Sequence, residues 1–247
     1  MLSSRQSRSL EGTTVLALGS AIATRVAAAW LADSGATVAL FRPGWQSPAA
    51  NSTAERFEQQ VGRNTRPANF EQDAPYDLLI TASTSASLCA AVPANLLATA
   101  AIIEITAPVA DTAGFDDSLI RDMTLWARSG LGYLTREIGP DWEPAAPCLP
   151  LNRQPAILAG IAAATAAVGA LLEDRPADQP PRHICIDQLE LLAIMPMQPI
   201  AFAQMDGRIV GAPTTANVRF PGGTVETANG MAYVRPVEPA HWAKLLR

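Results

Sequence analysis

Lysine is almost absent: Lys244 is its single occurrence in 247 residues, and arginine carries the rest of the positive charge. With 18 basic against 23 acidic residues the net charge is −5, and no Lys/Arg run occurs. Nucleic acid and anionic membrane surfaces are therefore not expected as partners. Cysteine is scarce too. Cys89, Cys148 and Cys185 are odd in number and share no Cys-x-x-Cys spacing, so neither a disulfide framework nor a metal site is expected. The polar start "MLSSRQSRSLEG" lacks the apolar core of a signal peptide, and the Ala-rich run at 156–172 is shorter than a membrane span. These absences lead to the expectation of a cytoplasmic protein whose alanine-rich segment is a buried helix. Tryptophan is spread out, at Trp30, Trp45, Trp126, Trp142 and Trp242, which suits core or interface anchors rather than a stacking series.

What is present is globular: 49% of residues are hydrophobic and 17% charged. "TTVLALG" (13–19) reads as a buried strand, "SAIATRVAAAWLADSG" (20–35) as a helix closed by Gly35, and "ATVALFR" (36–42) as a second strand. Strand, helix and strand in that order form a right-handed βαβ unit and imply a parallel sheet. A loop-rich stretch (43–75) with a short helix near 53–60 follows, then strands at 76–83 and 101–108 around a helical 86–100 interrupted by Pro93. A helix within 116–137 should end near Ser129–Gly130. A small-residue helix is expected over 155–173, with Pro155 in its first turn, and "HICIDQLELLAIM" (183–195) reads as a strand running into a helix. The fold class is accordingly α/β, a doubly wound, mostly parallel Rossmann-like sheet over 1–200, with 201–247 a linker and the start of a small domain.

A dinucleotide-binding turn needs G-x-G-x-x-G, so that backbone can approach a pyrophosphate at the helix N-terminus. "LGSAIATR" offers Gly19 alone, and the second strand ends in Phe41-Arg42 with no acid for a ribose. Arg42 could meet a 2′-phosphate, which keeps an NADP-binding Rossmann oxidoreductase as an alternative.

The opening "LEGTTVLALGSAIATRVAAAWLADSGATVALFRPG" resembles that of the family III CoA-transferases, the group of formyl-CoA transferase, carnitine CoA-transferase and α-methylacyl-CoA racemase. Leu10, Gly12, Val15, Leu16, Leu31, Ala32, Asp33, Gly35, Ala36 and Val38 match its Leu-x-Gly-x-x-Val-Leu strand and Leu-Ala-Asp-x-Gly-Ala-x-Val junction. "GRNTR" (62–66) is similar to an Asn-Arg-x-Lys-Arg segment. "RDMTLWARSGLGYLT" is similar to a Tyr-Asp-x-x-x-Gln-Ala-x-Ser-Gly-Leu helix, and keeps Asp122. "HICIDQLELLAIM" and "TVETANGMAYVRPVEPAHWAKLL" resemble later segments in order, so the likeness covers nearly all of the chain.

The resemblance implies CoA or acyl-CoA as ligand, with Arg42, Arg63 and Arg66 as candidate phosphate-gripping residues. It also implies a catalytic aspartate at the start of the small-residue helix, which attacks the acyl thioester to form a mixed anhydride. Alignment of Gly160 and of Leu171-Leu172-Glu173 with the family pattern puts Ala156 at that aspartate. A methyl group cannot attack a thioester. Asp141 and Glu143 are the nearest upstream acids. The racemase branch pairs a histidine with the aspartate matching Asp122, but Arg121 stands in the histidine's place, so Asp122 is expected to cap a helix or pair with an arginine rather than do acid–base work. The sequence leads to a CoA-transferase-like protein that is a non-catalytic or partner-dependent subunit. It is expected as a homodimer, or as a hetero-oligomer with a full-length homologue, because the C-terminal segment has nothing of its own to cover it. An active CoA-transferase or racemase-type enzyme with a substitute carboxylate is the alternative.

Overall fold

The computed structural model describes residues 9–42, 56, 59–70, 75–82, 90, 92–97, 100–107, 118–138, 144–147, 153–173, 179–207, 223–234 and 238–245. In chain order the elements begin with β1 (Thr14–Leu18), α1 (Ile22–Asp33), β2 (Thr37–Phe41), β3 (Arg66–Pro67) and β4 (Leu78–Ala82). Next come α2 (Ala94–Leu97), β5 (Ala101–Thr106), α3 (Ser118–Arg128), α4 (Leu131–Leu134), β6 (Arg136–Ile138) and β7 (Pro144–Pro147). The last are α5 (Gln154–Leu172), β8 (His183–Asp187), α6 (Gln188–Ile194), α7 (Met197–Asp206), β9 (Gly223–Thr227), β10 (Gly230–Val234) and α8 (Pro239–Leu245).

These elements divide into two units, Met1–Ser129 with Pro150–Met195, and Gly130–Leu149 with Pro196–Arg247. The sequence places a boundary at residue 200; the division falls after Met195 and groups 130–149 with the C-terminal part. The second unit holds two antiparallel ribbons, β6–β7 and β9–β10, the latter closed at Thr227–Gly230.

The first unit is built on a six-stranded sheet in the order β3-β2-β1-β4-β5-β8, with every neighbouring pair parallel. This is the doubly wound order, and it reverses between β1 and β4. "VLAL" of β1 and "LLITA" of β4 are buried throughout, as central strands covered on both faces must be. One face carries Val15, Ala17, Val38, Leu78, Ile80, Ile103 and Ile105 against α1 and α5. The other carries Leu16, Leu18, Ala39, Tyr76 and Leu79 with Val92 and Leu96. Asp77 ties two central strands at their starts, accepting from the Thr14 backbone N–H at 2.7 Å and the Thr14 hydroxyl at 2.8 Å.

Helix α1 ends in a paired backbone lock: Gly35 N–H donates to Ala32 O (3.0 Å) and Ala36 N–H to Leu31 O (3.1 Å). The turn needs a left-handed residue, which Gly35 supplies at φ 109°. Ala156, Ala159, Gly160, Ala163, Ala164 and Ala167 recur at helical spacing and form the buried face of α5. A Cβ on Gly160 would lie 2.6 Å from the Ala23 carbonyl oxygen of α1. The small residues therefore let the two helix backbones approach closely. The 19-residue α5 is long and apolar enough, by length and composition, to cross a membrane, contrary to the length read from the sequence. Here Ala159, Ala163 and Ala167 are fully buried on the sheet and α1, as in the core helix of a doubly wound domain.

Candidate functional site

In doubly wound sheets, ligands bind beyond the carboxyl ends of the strands, near the point where strand order reverses. Here that edge carries Gly19 after β1, Arg42 after β2 and Ala68 after β3, while Arg66 begins β3 opposite Ala39 of β2. Gly19, at φ 93°, is the single glycine of the β1–α1 turn. Arg25, in the first turns of α1, is 3% exposed and donates from Nε to the Ser20 carbonyl at 3.1 Å. The neighbouring Thr24 hydroxyl is buried with no hydrogen-bond partner.

Arg42 and Arg66 come together. They line one cavity of about 470 Å³ with Leu40, Phe41, Gly62 and Thr65. Its apolar side is braced by Phe41, whose ring lies 4.8 Å from that of Phe70. Two arginines that line one cavity beside β2 and β3 suit a phosphate-bearing ligand.

Arg63, the third arginine singled out in the sequence, lies elsewhere. Its Nε and Nη2 donate to Asp33 Oδ2 at 2.8 and 2.6 Å, while Nη1 donates to the Gln60 carbonyl at 2.7 Å. Asn64 donates to the other carboxylate oxygen at 2.7 Å. Desolvation works to raise the Asp33 carboxyl, but hydrogen bonds from Arg63 and Asn64 and the Arg63 charge outweigh it, holding the group below its ordinary value. Arg63 also borders a second cavity of about 380 Å³, beside Trp30 and Ile157. It fastens the 60–66 segment to the end of α1.

Ala156 stands in the first turn of α5, 7% exposed and part of the core. That first turn contains no acidic residue and no side-chain cap. Arg153, immediately before the helix, adopts a left-handed backbone at φ 56° and donates from Nε to Asp122 Oδ2 at 2.5 Å. Asp122 comes from α3 and is 4% exposed. The positive end of the α5 dipole and the Arg153 cation both favour an anion here, and Asp122 supplies one. Asp141 and Glu143 lie outside the described residues, as do Cys89, Cys148, Trp45 and Trp142.

A further group was not foreseen. Glu104 of β5 meets His183 and Cys185 of β8, with His183 Nε2 2.9 Å and Cys185 Sγ 3.8 Å from Glu104 Oε2. Desolvation, then the charge and hydrogen bond of Glu104 and the charge of Asp187, raise the Cys185 thiol above its ordinary value. The available signal was a lone acid inside the apolar strand "AIIEIT" together with His-x-Cys at strand spacing.

No protein-family model matches the sequence, and neither does any curated protein. The solved structures are more informative. The fold is similar to that of a CAIB/BAIF family protein from Brucella suis, with a TM-score of 0.72 at 19% identity over 96% of this chain and 68% of that one. It is also similar to a hypothetical protein from Mycobacterium tuberculosis, with a TM-score of 0.66 at 18% identity over 96% of this chain and 68% of that one. An aspartate-to-alanine variant of that mycobacterial protein superposes with a TM-score of 0.64 at 18% identity, over 96% of this chain and 66% of the variant's. The chain thus has the α/β fold of these proteins and spans about two thirds of their length.

Proposed function

We propose that this chain is a CoA-transferase-like protein that binds CoA or an acyl-CoA and serves as a non-catalytic or partner-dependent subunit. Support comes from the fold likeness to a CAIB/BAIF protein, a group that corresponds to CoA-transferase family III, and from the order of sequence motifs. The observation that carries the reading is the start of α5. Where the family likeness calls for aspartate, the helix begins Gln154-Pro155-Ala156, with no acid in its first turn. Acyl transfer through an anhydride needs a carboxylate oxygen that displaces the CoA thiolate from the acyl carbon. In the proposal, Arg42 and Arg66 hold the phosphates of CoA in the cavity they share, and a partner chain supplies the nucleophile. Exposed apolar side chains such as Trp30, Ile194 and Met195 offer surface for such an association.

The test is to incubate the pure chain with an acyl-CoA and follow hydroxylamine-sensitive acylation by intact mass. No adduct and no release of CoA thiol are expected from the chain alone, while calorimetry detects binding of CoA. An adduct on this chain would overturn the non-catalytic role.

A second reading has one observation in its favour. Arg153 holds the Asp122 carboxylate beside the residue before α5, which makes Asp122 a candidate substitute nucleophile. An adduct mapped to the Asp122 peptide, and absent from Asp122→Asn, would establish this reading in place of the first.

A further inference from the structure

The register of β5 and β8 sets Glu104 opposite Cys185 and Ile102 opposite His183. Side chains alternate along a strand, so His183 and Cys185, two residues apart, emerge on one face, and Glu104 emerges beside them. β8 ends the strand order, so among the described residues no further strand flanks this trio within the sheet. The sulfur, one imidazole nitrogen and one carboxylate oxygen all lie within 4.8 Å of one another.

We infer that Glu104, His183 and Cys185 form a binding site for a divalent metal ion of the zinc class. A tetrahedral zinc ion with Zn–S of about 2.3 Å and Zn–N and Zn–O of about 2.0–2.1 Å spaces its ligand atoms about 3.3–3.6 Å apart. The two separations here, 2.9 Å from nitrogen to oxygen and 3.8 Å from sulfur to oxygen, bracket that spacing. The sulfur and the imidazole nitrogen lie within 4.8 Å of each other, so a side-chain rotation of about an ångström that draws them together seats the ion at the tetrahedral spacing.

The donor chemistry selects the metal. Thiolate, imidazole and carboxylate together suit Zn²⁺, whereas Mg²⁺ and Ca²⁺ require oxygen ligands throughout. His183 and Cys185 are exposed and Glu104 half-buried, so an ion reaches the site from solvent. Asp187 follows two residues after Cys185, but its Oδ1 accepts backbone N–H groups of Leu189 and Glu190 at 2.8 and 3.1 Å. It caps α6 and adds a fixed negative charge nearby rather than a ligand. Three protein ligands leave the fourth position to water or to an incoming group. The ion would also clamp the last strand of the sheet to its neighbour.

The test uses the full chain, kept reduced with a phosphine, stripped of metal and titrated with Co²⁺. One equivalent should produce a thiolate-to-cobalt charge-transfer band in the near ultraviolet and visible bands of tetrahedral intensity, both abolished by Zn²⁺. Zn²⁺ should also block carbamidomethylation of Cys185 in the wild-type chain, read on its peptide by mass, a measurement that requires no variant. Loss of an outer-shell partner already costs about 10–100-fold in metal affinity, so Cys185→Ser, which removes a direct ligand, should abolish the charge-transfer band and weaken Zn²⁺ binding by at least about 100-fold, and Glu104→Gln should weaken it by at least about tenfold. A band that persists in Cys185→Ser, or Zn²⁺ that leaves Cys185 fully reactive, would overturn the site.

Discussion

Arg153 and Asp122 join the start of α5 to α3, with the guanidinium Nε on a carboxylate oxygen at 2.5 Å. Their side chains are 23% and 5% exposed. Removal of the better solvated partner takes its ion pair from a buried carboxylate, and a lost member of such a pair costs about 3–5 kcal/mol. Arg153→Ala should therefore lower the unfolding free energy by about 3 kcal/mol in urea titrations, and Asp122→Asn by less, because Arg153 retains access to water. Equal losses from the two variants would contradict this asymmetry.

Gly160 and Gly169 share α5 but meet different surroundings. A Cβ at Gly160 would fall 2.6 Å from the Ala23 carbonyl oxygen and 2.7 Å from the Val26 Cβ, whereas one at Gly169 meets nothing within 4 Å. Gly160→Ala forces two helices apart and should cost about 3 kcal/mol. Gly169→Ala should instead stabilise by up to about 1 kcal/mol, since alanine favours the helix. Thermal unfolding of the pair separates contact from propensity.

Much of this architecture can be read locally. The β1–α1–β2 unit, the apolar strands at β4 and β5 and the small-residue face of α5 all follow from residue periodicity over short windows. The helix expected to end near Ser129–Gly130 stops at Arg128, and Gly130 is left-handed at φ 83°. What periodicity cannot carry is register between distant strands. Glu104 meets His183 and Cys185 only because β5 lies beside β8, and a search for Cys-x-x-Cys passes over such a set. Similarly, three arginines in the sequence look equivalent, yet Arg42 and Arg66 share a cavity while Asp33 engages Arg63. The short β6–β7 ribbon, "REI" with "PAAP", has no strand-like signal, and proline-bearing segments of this kind are held by tertiary context.

That separation among arginines predicts a split in ligand affinity. Arg42→Ala and Arg66→Ala should each weaken CoA binding about 10–100-fold, the equivalent of one charge-assisted hydrogen bond of about 1.5–3 kcal/mol. Arg63→Ala should change it less than about threefold, because its guanidinium is committed to Asp33. Calorimetric titrations of the three variants with CoA check this, and equal losses at all three positions would contradict the placement.

Arg63 should instead appear in the pH dependence of stability. A carboxyl lowered in the folded state stabilises fully above its unfolded value, near 3.8, and loses that contribution as pH falls through the folded value. Both side chains are well exposed, at 41% and 38%, so the pair contributes at most about 1 kcal/mol. Arg63→Ala should therefore melt slightly below wild type from about pH 5 upward, with the difference closing as pH drops below about 4. A difference that grows on acidification would contradict the sign.

Ala156 permits the most direct examination of the proposed function, because a carboxylate can be put there. Position 156 lies in the first turn of α5, where the helix dipole favours an anion by about 0.3–1 kcal/mol. Against this, Ala156 is 7% exposed, so burial of a charged group opposes the substitution. Ala156→Asp should be moderately less stable than wild type and still fold. With an acyl-CoA, its new carboxylate oxygen should bond to the acyl carbon as the thioester bond breaks and the CoA thiolate departs. The readouts are one equivalent of free thiol, a mass increase equal to the acyl group, and its removal by hydroxylamine as the hydroxamate. Wild type should give none of the three. If Ala156→Asp folds and binds acyl-CoA yet releases no thiol, position 156 is not where the acyl carbon rests, and the start of α5 loses its claim as the reacting centre.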